Sequence, residues 1–178
     1  MAKELTITAS NLHLLSSLPS TLQYLNCNNK NLTSLPPLPS TLKYLDCSNN
    51  NLTSLPLLPS GLISLYCNNN NLTSLPLLPP GLKRLYCLNN NLTSLPLLPP
   101  TLKELYCCSN NLPDWYIFYD IEEIREKQIQ ERLLLIRKKI ASRIIQRAWT
   151  RYWYYPSSEG ISRYASHMAN VDLQSYNT

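Results

Sequence analysis

The segment Leu42–Leu52, LKYLDCSNNNL, contains the pattern that decides the fold. It recurs as LISLYCNNNNL from Leu62, as LKRLYCLNNNL from Leu82 and as LKELYCCSNNL from Leu102, and an earlier copy, LQYLNCNNKNL, begins at Leu22. The offset is 20 residues each time, with no insertion or deletion. A short, fixed period of this kind is typical of a solenoid, in which stacked repeats bury a core that no single repeat can bury alone.

Each copy contains a short alternating stretch that predicts a β-strand. Leu45 and Cys47 point inward, whereas Tyr44, Asp46 and Ser48 point outward. The inward cysteines recur at the repeat period and are expected to form a buried ladder of small apolar thiols: Cys27, Cys47, Cys67, Cys87 and Cys107. The sixth cysteine, Cys108, falls on an outward position and is expected to be accessible.

An asparagine follows each strand, and it recurs at the same period: Asn50, Asn70, Asn90 and Asn110. A buried carboxamide both donates and accepts hydrogen bonds, so stacked asparagines can satisfy backbone groups where the chain turns out of the strand. Residues 1–20 are an atypical first repeat, in which Leu5–Ile7 matches the strand and Ser10 takes the asparagine position. Such a repeat is expected to cap the column.

The return limb of each repeat carries two regularly spaced prolines, at 36, 56, 76 and 96 and at 39, 59, 79 and 99. Proline excludes a regular helix there and favours an extended, polyproline-like path. Residues 1–112 therefore predict a leucine-rich-repeat type of solenoid of about five repeats, with short parallel strands on the concave face and an extended convex side.

The composition changes at Pro113, and residues 113–155 predict a C-terminal helical segment that begins near Asp114. Trp115–Phe118 are expected to cover the open end of the core. The apolar row on the long helix drifts around its axis, which favours either a break near Ser142 or a partner that wraps the second half. Residues 156–178 are polar and predict a flexible tail.

The outward strand positions are the candidate site for a protein partner. Three tyrosines share one column at the repeat period: Tyr66, Tyr86 and Tyr106. Tyrosine offers a large contact area and a polar group at low entropic cost, so it is enriched at binding hot spots. Tyr44, Asp46, Arg84 and Leu88 belong to the same predicted patch. The alternative is that tyrosine stacking across the strands only stabilises the sheet.

The second distinctive stretch lies on the basic half of the long helix, where Arg132–Tyr155 has seven basic residues and no acidic residue. Its candidate partner-binding residues are Ile145, Gln146, Arg147, Trp149 and Arg151. Ile145–Trp149, IQRAW, resembles the front half of an IQ motif, the basic helix that holds calmodulin or a related light chain. The rest of that motif is absent, since Thr150–Arg151 stands where Arg-Gly is expected. A solvated structural helix, or contact with nucleic acid or an acidic membrane, is the alternative.

The composition argues against catalysis. The two histidines, His13 and His167, are far apart, three glycines leave no phosphate-binding loop, and the repeats offer no pair of carboxylates for acid–base chemistry. No cofactor or metal is expected, because no CxxC is paired with histidine. The N-terminus lacks the apolar core of a signal peptide and no long apolar run exists, so we expect a cytoplasmic, reduced protein.

The 20-residue unit, LPxLPxxLxxLxCxxNxLTSLP, resembles the short leucine-rich repeats of type III secreted effectors of bacterial pathogens. It is also similar to repeat proteins of giant DNA viruses of amoebae, in which a cysteine in the strand is common and an IQRAW-like helix can follow the repeats. Some of the bacterial effectors carry a ubiquitin ligase with a nucleophilic cysteine after the repeats. None of the six cysteines follows Leu112, so we do not expect that activity.

The sequence therefore predicts a non-enzymatic scaffold that binds a protein on its concave face. Two alternatives stay open. The chain could be a structural component of a virus particle or similar assembly, or a regulatory protein that recruits a calmodulin-like light chain through its helix.

Overall fold

The structure is a computed structural model that describes residues 3–118 and 120–154. The chain divides into two compact units, Met1–Ile129 and Gln130–Thr178. The first unit contains one parallel sheet of six three-residue strands: β1 (Glu4–Thr6), β2 (Tyr24–Asn26), β3 (Tyr44–Asp46), β4 (Ser64–Tyr66), β5 (Arg84–Tyr86) and β6 (Glu104–Tyr106). The strands lie in chain order, and residues 20 apart are paired throughout, as in Leu45↔Leu65. The predicted solenoid is confirmed.

The core is a column of leucines and cysteines behind the sheet. Leu25, Leu45, Leu65 and Leu85 have no exposed surface. The thiols of Cys47 and Cys67 are equally inaccessible, and burial raises the pKa of the Cys67 thiol well above its usual value. These thiols are therefore protonated, apolar packing groups at neutral pH. Cys108 is exposed, as its outward position predicted.

The asparagine column carries hydrogen bonds from each repeat to the one before it. The Asn70 amide donates to the carbonyl oxygens of Cys67 and, in the preceding repeat, Cys47, at 3.1 Å each. Its Oδ1 accepts from the backbone N–H of Leu52 at 3.0 Å. Asn50, Asn90 and Asn110 make the equivalent contacts in their own repeats. Each asparagine thus satisfies backbone groups of two repeats in an interior that excludes water.

A second asparagine in each repeat is favoured by the conformation of its backbone, which the sequence analysis did not anticipate. The residue just before each ladder position has a positive φ between 50° and 56°: Asn29, Asn49, Asn69, Asn89 and Ser109. Asparagine tolerates this left-handed conformation better than most residues. The Asn69 and Asn89 side chains also form an exposed chain, in which each amide donates to the asparagine one repeat earlier at 2.7 Å. The run of asparagines in each repeat therefore has two physical causes.

The first repeat departs from the others after its strand. A 3-10 helix, Ala9–Ser17, follows β1. Asn11, one residue beyond the predicted Ser10, makes the turn contacts: its amide donates to Thr6 O at 3.0 Å and its Oδ1 accepts from Thr8 N at 2.6 Å. Ile7 still occupies the cysteine position and is buried.

Two helices follow the repeats, α1 (Trp115–Phe118) and α2 (Ile121–Tyr154). Asp120 caps α2, because its Oδ1 accepts from Glu123 N at 2.9 Å while the Glu123 carboxylate accepts from Asp120 N at 3.1 Å. The expected break near Ser142 is wrong, since α2 continues through it without interruption. No proline or glycine occurs in α2 to interrupt its backbone hydrogen bonds.

The last return limb, which precedes β6, is covered by side chains of the C-terminal helices that the sequence analysis did not single out. Gln128 of α2 accepts from Leu98 N at 3.0 Å and donates to Pro96 O at 3.1 Å and to the Tyr116 hydroxyl at 3.1 Å. Ile124 is 2% exposed. Of the predicted lid, Tyr116 is buried and Trp115 half-buried, whereas the side chains of Ile117 and Phe118 lie outside the described residues.

The long helix α2 is shared between the two compact units. The first turns of α2 pack with the repeats, so the first compact unit extends to Ile129. The predicted tail, residues 156–178, lies outside the described part of the chain.

Replacing Asn70 by leucine should lower the free energy of unfolding by about 2–4 kcal/mol, because buried backbone groups in two repeats lose their partner. Chemical denaturation followed by circular dichroism measures the loss. The matched control is Asn71→Ser, whose exposed side chain lies next in sequence and should change stability by less than about 0.5 kcal/mol. Equal losses in the two variants would contradict the structural role of the ladder.

Candidate functional site

Five tyrosine rings form one continuous stack on the outward face of the sheet, and we call this set the tyrosine stack: Tyr24, Tyr44, Tyr66, Tyr86 and Tyr106. The ring centroids of Tyr66 and Tyr86 are 4.6 Å apart, as are those of Tyr86 and Tyr106. These distances match offset stacking of aromatic rings. The structure thus brings together the three tyrosines that the repeat period placed in one column.

The stack changes column between the third and fourth strands, which sequence periodicity did not reveal. Tyr44 pairs in register with Ser64, but its ring lies 5.1 Å from that of Tyr66, its diagonal neighbour. Because serine is small, the Tyr44 ring can lean across the Ser64 position, and the Ser64 side chain is buried. Tyr24, which we did not include in the predicted patch, stacks on Tyr44 at 4.1 Å and extends the row to β2.

A polar cluster lies beside the last two rings of the stack. Glu104 accepts from Arg84 Nε at 3.0 Å and from the Tyr86 hydroxyl at 2.6 Å. The two hydrogen bonds hold the pKa of Glu104 below its usual value, with the Tyr86 contact contributing most. The same contact, with some burial, raises the pKa of Tyr86 to about 12. The cluster therefore keeps Tyr86 neutral and its ring fixed in orientation.

The other predicted patch residues serve the local backbone as well as the surface. Asp46 accepts from Ser48 N at 3.0 Å and from the Asn28 amide at 3.3 Å. The backbone N–H of Leu88 donates to Asn68 Oδ1 at 2.9 Å, and the side chain of Leu88 is half-buried. Ser48, which the alternation placed outward, is only 7% exposed.

The predicted helix site lies on the second compact unit. All side chains from Gln130 to Thr150 are exposed, including Ile145 at 59% and Trp149 at 60%. Ile145 and Trp149 are four residues apart and therefore share one side of the helix. The side chain of Arg151 lies outside the described residues.

A row of leucines on the return limb was missed by the sequence reading. Leu57 and Leu77 are each 84% exposed, and Leu97 is 41% exposed. They occupy equivalent positions in successive repeats, directly after a proline. The sequence could have predicted this row, because each of these leucines is followed directly by a leucine that points inward. Adjacent side chains of an extended chain point in opposite directions.

Among residues 3–118 and 120–154, no group of three or more histidine, cysteine or acidic side chains could hold a metal ion. In the same part of the chain, none of the helices has the length and apolar character needed to cross a bilayer.

Comparison with solved structures finds repeat proteins of bacterial pathogens. The chain is 40% identical to YopM, a leucine-rich effector protein from Yersinia pestis, over 53% of this chain and 27% of that one, with a TM-score of 0.52. YopM from Yersinia enterocolitica WA-314 is 38% identical over 55% of this chain and 24% of that one, with a TM-score of 0.48. The leucine-rich repeat domain of a Shigella effector is 29% identical over 65% of this chain and 73% of that one, with a TM-score of 0.47.

This chain has the leucine-rich repeat fold. It spans about a quarter of the length of the two YopM proteins. No family model and no curated protein matches it. The likeness to YopM from Yersinia pestis, together with the 20-residue register of the strands, is what establishes the repeat type.

In this leucine-rich repeat, replacing Glu104 by glutamine should lower the pKa of Tyr86 from about 12 towards its usual value near 10. A carboxylate that accepts a hydrogen bond from the tyrosine hydroxyl stabilises the protonated form of that hydroxyl, and a neutral amide stabilises it less. Because the folded pKa is raised, this stabilisation is present below about pH 10 and is lost as the pH rises through 12. Tyrosinate absorbance against pH measures the shift.

The control for that titration is Glu126→Gln, which removes an exposed carboxylate on α2. It should leave the tyrosine titration unchanged. A curve for Glu104→Gln that overlays the wild type would contradict the proposed coupling between Glu104 and Tyr86.

Proposed function

We propose that the chain is a non-enzymatic scaffold that binds a protein partner on the face of the sheet that carries the tyrosine stack. The single observation that carries this proposal is the continuous row of five aromatic rings, presented side by side from β2 to β6. A flat, rigid and amphipathic surface of this kind suits protein recognition.

Exposure of the stack supports the proposal. Tyr66 and Tyr86 are half-buried and Tyr106 is 49% exposed, so part of each side chain remains at the surface. A ring in a stack has already lost most of its rotational freedom, so binding a partner costs little additional entropy. Stabilisation of the sheet alone accounts for the stacking, but it does not require that the last ring, Tyr106, be 49% exposed.

The surroundings of the stack define the chemistry of the partner. Arg84 and Glu104 form an ion pair at 3.0 Å at one end, and the Asp46 carboxylate lies near the middle. Lys43, Lys83 and Lys103 recur just before their strands and are exposed. We infer a partner surface with apolar or aromatic anchors for the rings and acidic groups that face the lysine row.

The experiment compares co-purification by the wild-type chain and by a triple variant, Tyr66→Ala, Tyr86→Ala and Tyr106→Ala, from the native source. Quantitative mass spectrometry should find one stoichiometric partner that the variant loses, because truncating central aromatic residues removes the hot spot. The complex is then rebuilt from the two purified proteins, and the loss is measured as a change in Kd of at least about 30-fold.

The matched control carries Leu57→Ser and Leu77→Ser on the return limb, which removes two exposed apolar side chains from a different surface. This variant should retain the partner. Thermal unfolding of both variants checks that the repeats remain folded. Retention of the partner by a folded triple-tyrosine variant would refute the proposal.

A second candidate function concerns the basic helix, and the exposure of Ile144, Ile145 and Trp149 on a continuous α2 favours it. We propose that this segment recruits a calmodulin-like light chain, whose apolar grooves take basic amphipathic helices with such anchors. Seven basic residues in Arg132–Tyr155 provide the charge that an acidic light chain would complement.

A peptide that spans residues 137–155 should bind calcium-loaded calmodulin with a Kd in the micromolar range or below, measured by calorimetry. Replacing Ile145 and Trp149 by alanine should weaken binding by at least about tenfold, since both anchors face one side of the helix. A peptide with Ser142→Ala is the matched control. Absence of binding at micromolar concentrations would exclude this candidate.

A further inference from the structure

The hydrogen bonds between neighbouring repeats follow one rule from β2 to β6. The N–H of each inward cysteine donates to the strand of the following repeat, as Cys87 N does to Tyr106 O at 2.8 Å. The carbonyl two residues before the buried leucine of the strand accepts from the following repeat, as Lys83 O does from Glu104 N at 3.1 Å. The leucine after the turn donates to the next ladder asparagine, as Leu92 N does to Asn110 at 3.0 Å.

At β6 this rule leaves the same groups without a hydrogen-bond partner among the described residues. They are the carbonyl of Lys103 and the backbone N–H groups of Cys107, Ser109, Asn110 and Leu112. Each has a bonded equivalent one repeat earlier. Unpaired donors and acceptors in a row are a template for another strand. The outer edge of β6 therefore offers the same backbone donors and acceptors as the preceding strands. No further strand pairs with them among the described residues.

Arg125 and Gln128 of α2 make hydrogen bonds to the return limb that precedes β6. Gln128 satisfies the return limb at Pro96 and Leu98, as described above. Beside β6 there is an open cleft of about 280 Å³, between Leu105–Cys108 on one side and Tyr116, Ile121 and Ile124 on the other, with Asp120 at its lining as the one acidic residue. Leu105 is half-buried, although its equivalents in β2 to β5 have no exposed surface. The core is therefore open at the strand limb.

We propose that the outer edge of β6 binds an extended peptide segment of a partner protein, which adds a seventh parallel strand. An apolar side chain of that segment fills the cleft next to Leu105, and an aromatic side chain continues the tyrosine stack beyond Tyr106. A basic residue lies opposite Glu104, and an asparagine accepts from Leu112 N. The backbone pairing supplies affinity and the alternating side chains supply specificity.

Charge argues against a second copy of this chain as the occupant. In the register that all repeats share, β1 of another copy would place Glu4 opposite Glu104. Like charges directly opposite each other destabilise a strand pair. This site is separate from the proposed partner surface on the face of the stack, because it uses the edge of the sheet and the cleft.

The test uses a synthetic peptide as the probe, with the sequence of residues 82–93 of this chain and Cys87→Ala to prevent disulfide exchange with Cys108. This sequence carries the arginine, tyrosine and asparagine that the edge requires. Fluorescence anisotropy of the labelled peptide with the full chain should show saturable binding. Amide hydrogen exchange should slow at Cys107, Ser109 and Asn110 and remain unchanged on β1.

Two peptide variants probe the pairing without altering the protein. Arg84→Pro in the peptide removes one of the two N–H groups that would reach the Lys103 carbonyl and places a proline ring in the middle of the paired strand, so binding should be lost. Asn90→Leu removes the acceptor for Leu112 N and should weaken binding about fivefold, the equivalent of one hydrogen bond. A scrambled peptide is the control.

Three outcomes would overturn the proposal. They are the absence of saturable binding, binding by the Arg84→Pro peptide as well, and protection from hydrogen exchange at residues other than 103–112. Sedimentation of the chain alone decides the remaining alternative. Concentration-dependent association that Glu4→Lys strengthens would assign the edge to a second copy instead. A monomer that binds the peptide supports the assignment. Loss of partner binding in the triple-tyrosine variant is measured separately, so the two proposals can fail independently.

Discussion

The carboxamide ladder is the interaction on which the rest of this structure depends. Each ladder asparagine bonds backbone groups in its own repeat and in the one before, so no repeat satisfies its turn alone. A buried backbone group without a partner costs about 1–3 kcal/mol, so an inserted or deleted residue would be penalised at every step. This explains why the 20-residue period is kept without exception, and why the side chains that point away from the core can differ from repeat to repeat.

Each repeat depends on hydrogen bonds to its neighbours. The first and the last repeat each have a neighbour on one side only, so their backbone groups need other partners. At the first repeat, a 3-10 helix and Asn11 close the turn within the repeat itself. At the last repeat, Gln128 reaches from α2 to the return limb with the same donor and acceptor chemistry as a ladder asparagine. The strand limb receives no such substitute among the described residues. The proposed binding of an extended segment follows from this asymmetry.

The outward face is where function can vary, because its side chains are not part of the asparagine ladder that joins the repeats. Here the face carries aromatic rings, and the stack is continuous because of one small residue. Ser64 lies where a tyrosine stands in the two preceding strands, and it lets Tyr44 approach Tyr66 along the diagonal. A larger residue at this position would divide the surface into two shorter rows.

The amino-acid sequence by itself determined the solenoid, the parallel register, the buried cysteine column and the extended return limb, because a repeated local pattern allows one stacking. It also placed Tyr66, Tyr86 and Tyr106 in one column. Only the tertiary structure decided the diagonal step of the stack, the burial of Ser48 and the role of Gln128. Those features depend on contacts between residues that no period relates, such as Gln128 with Pro96, and on which backbone groups remain unpaired once all the repeats are in place.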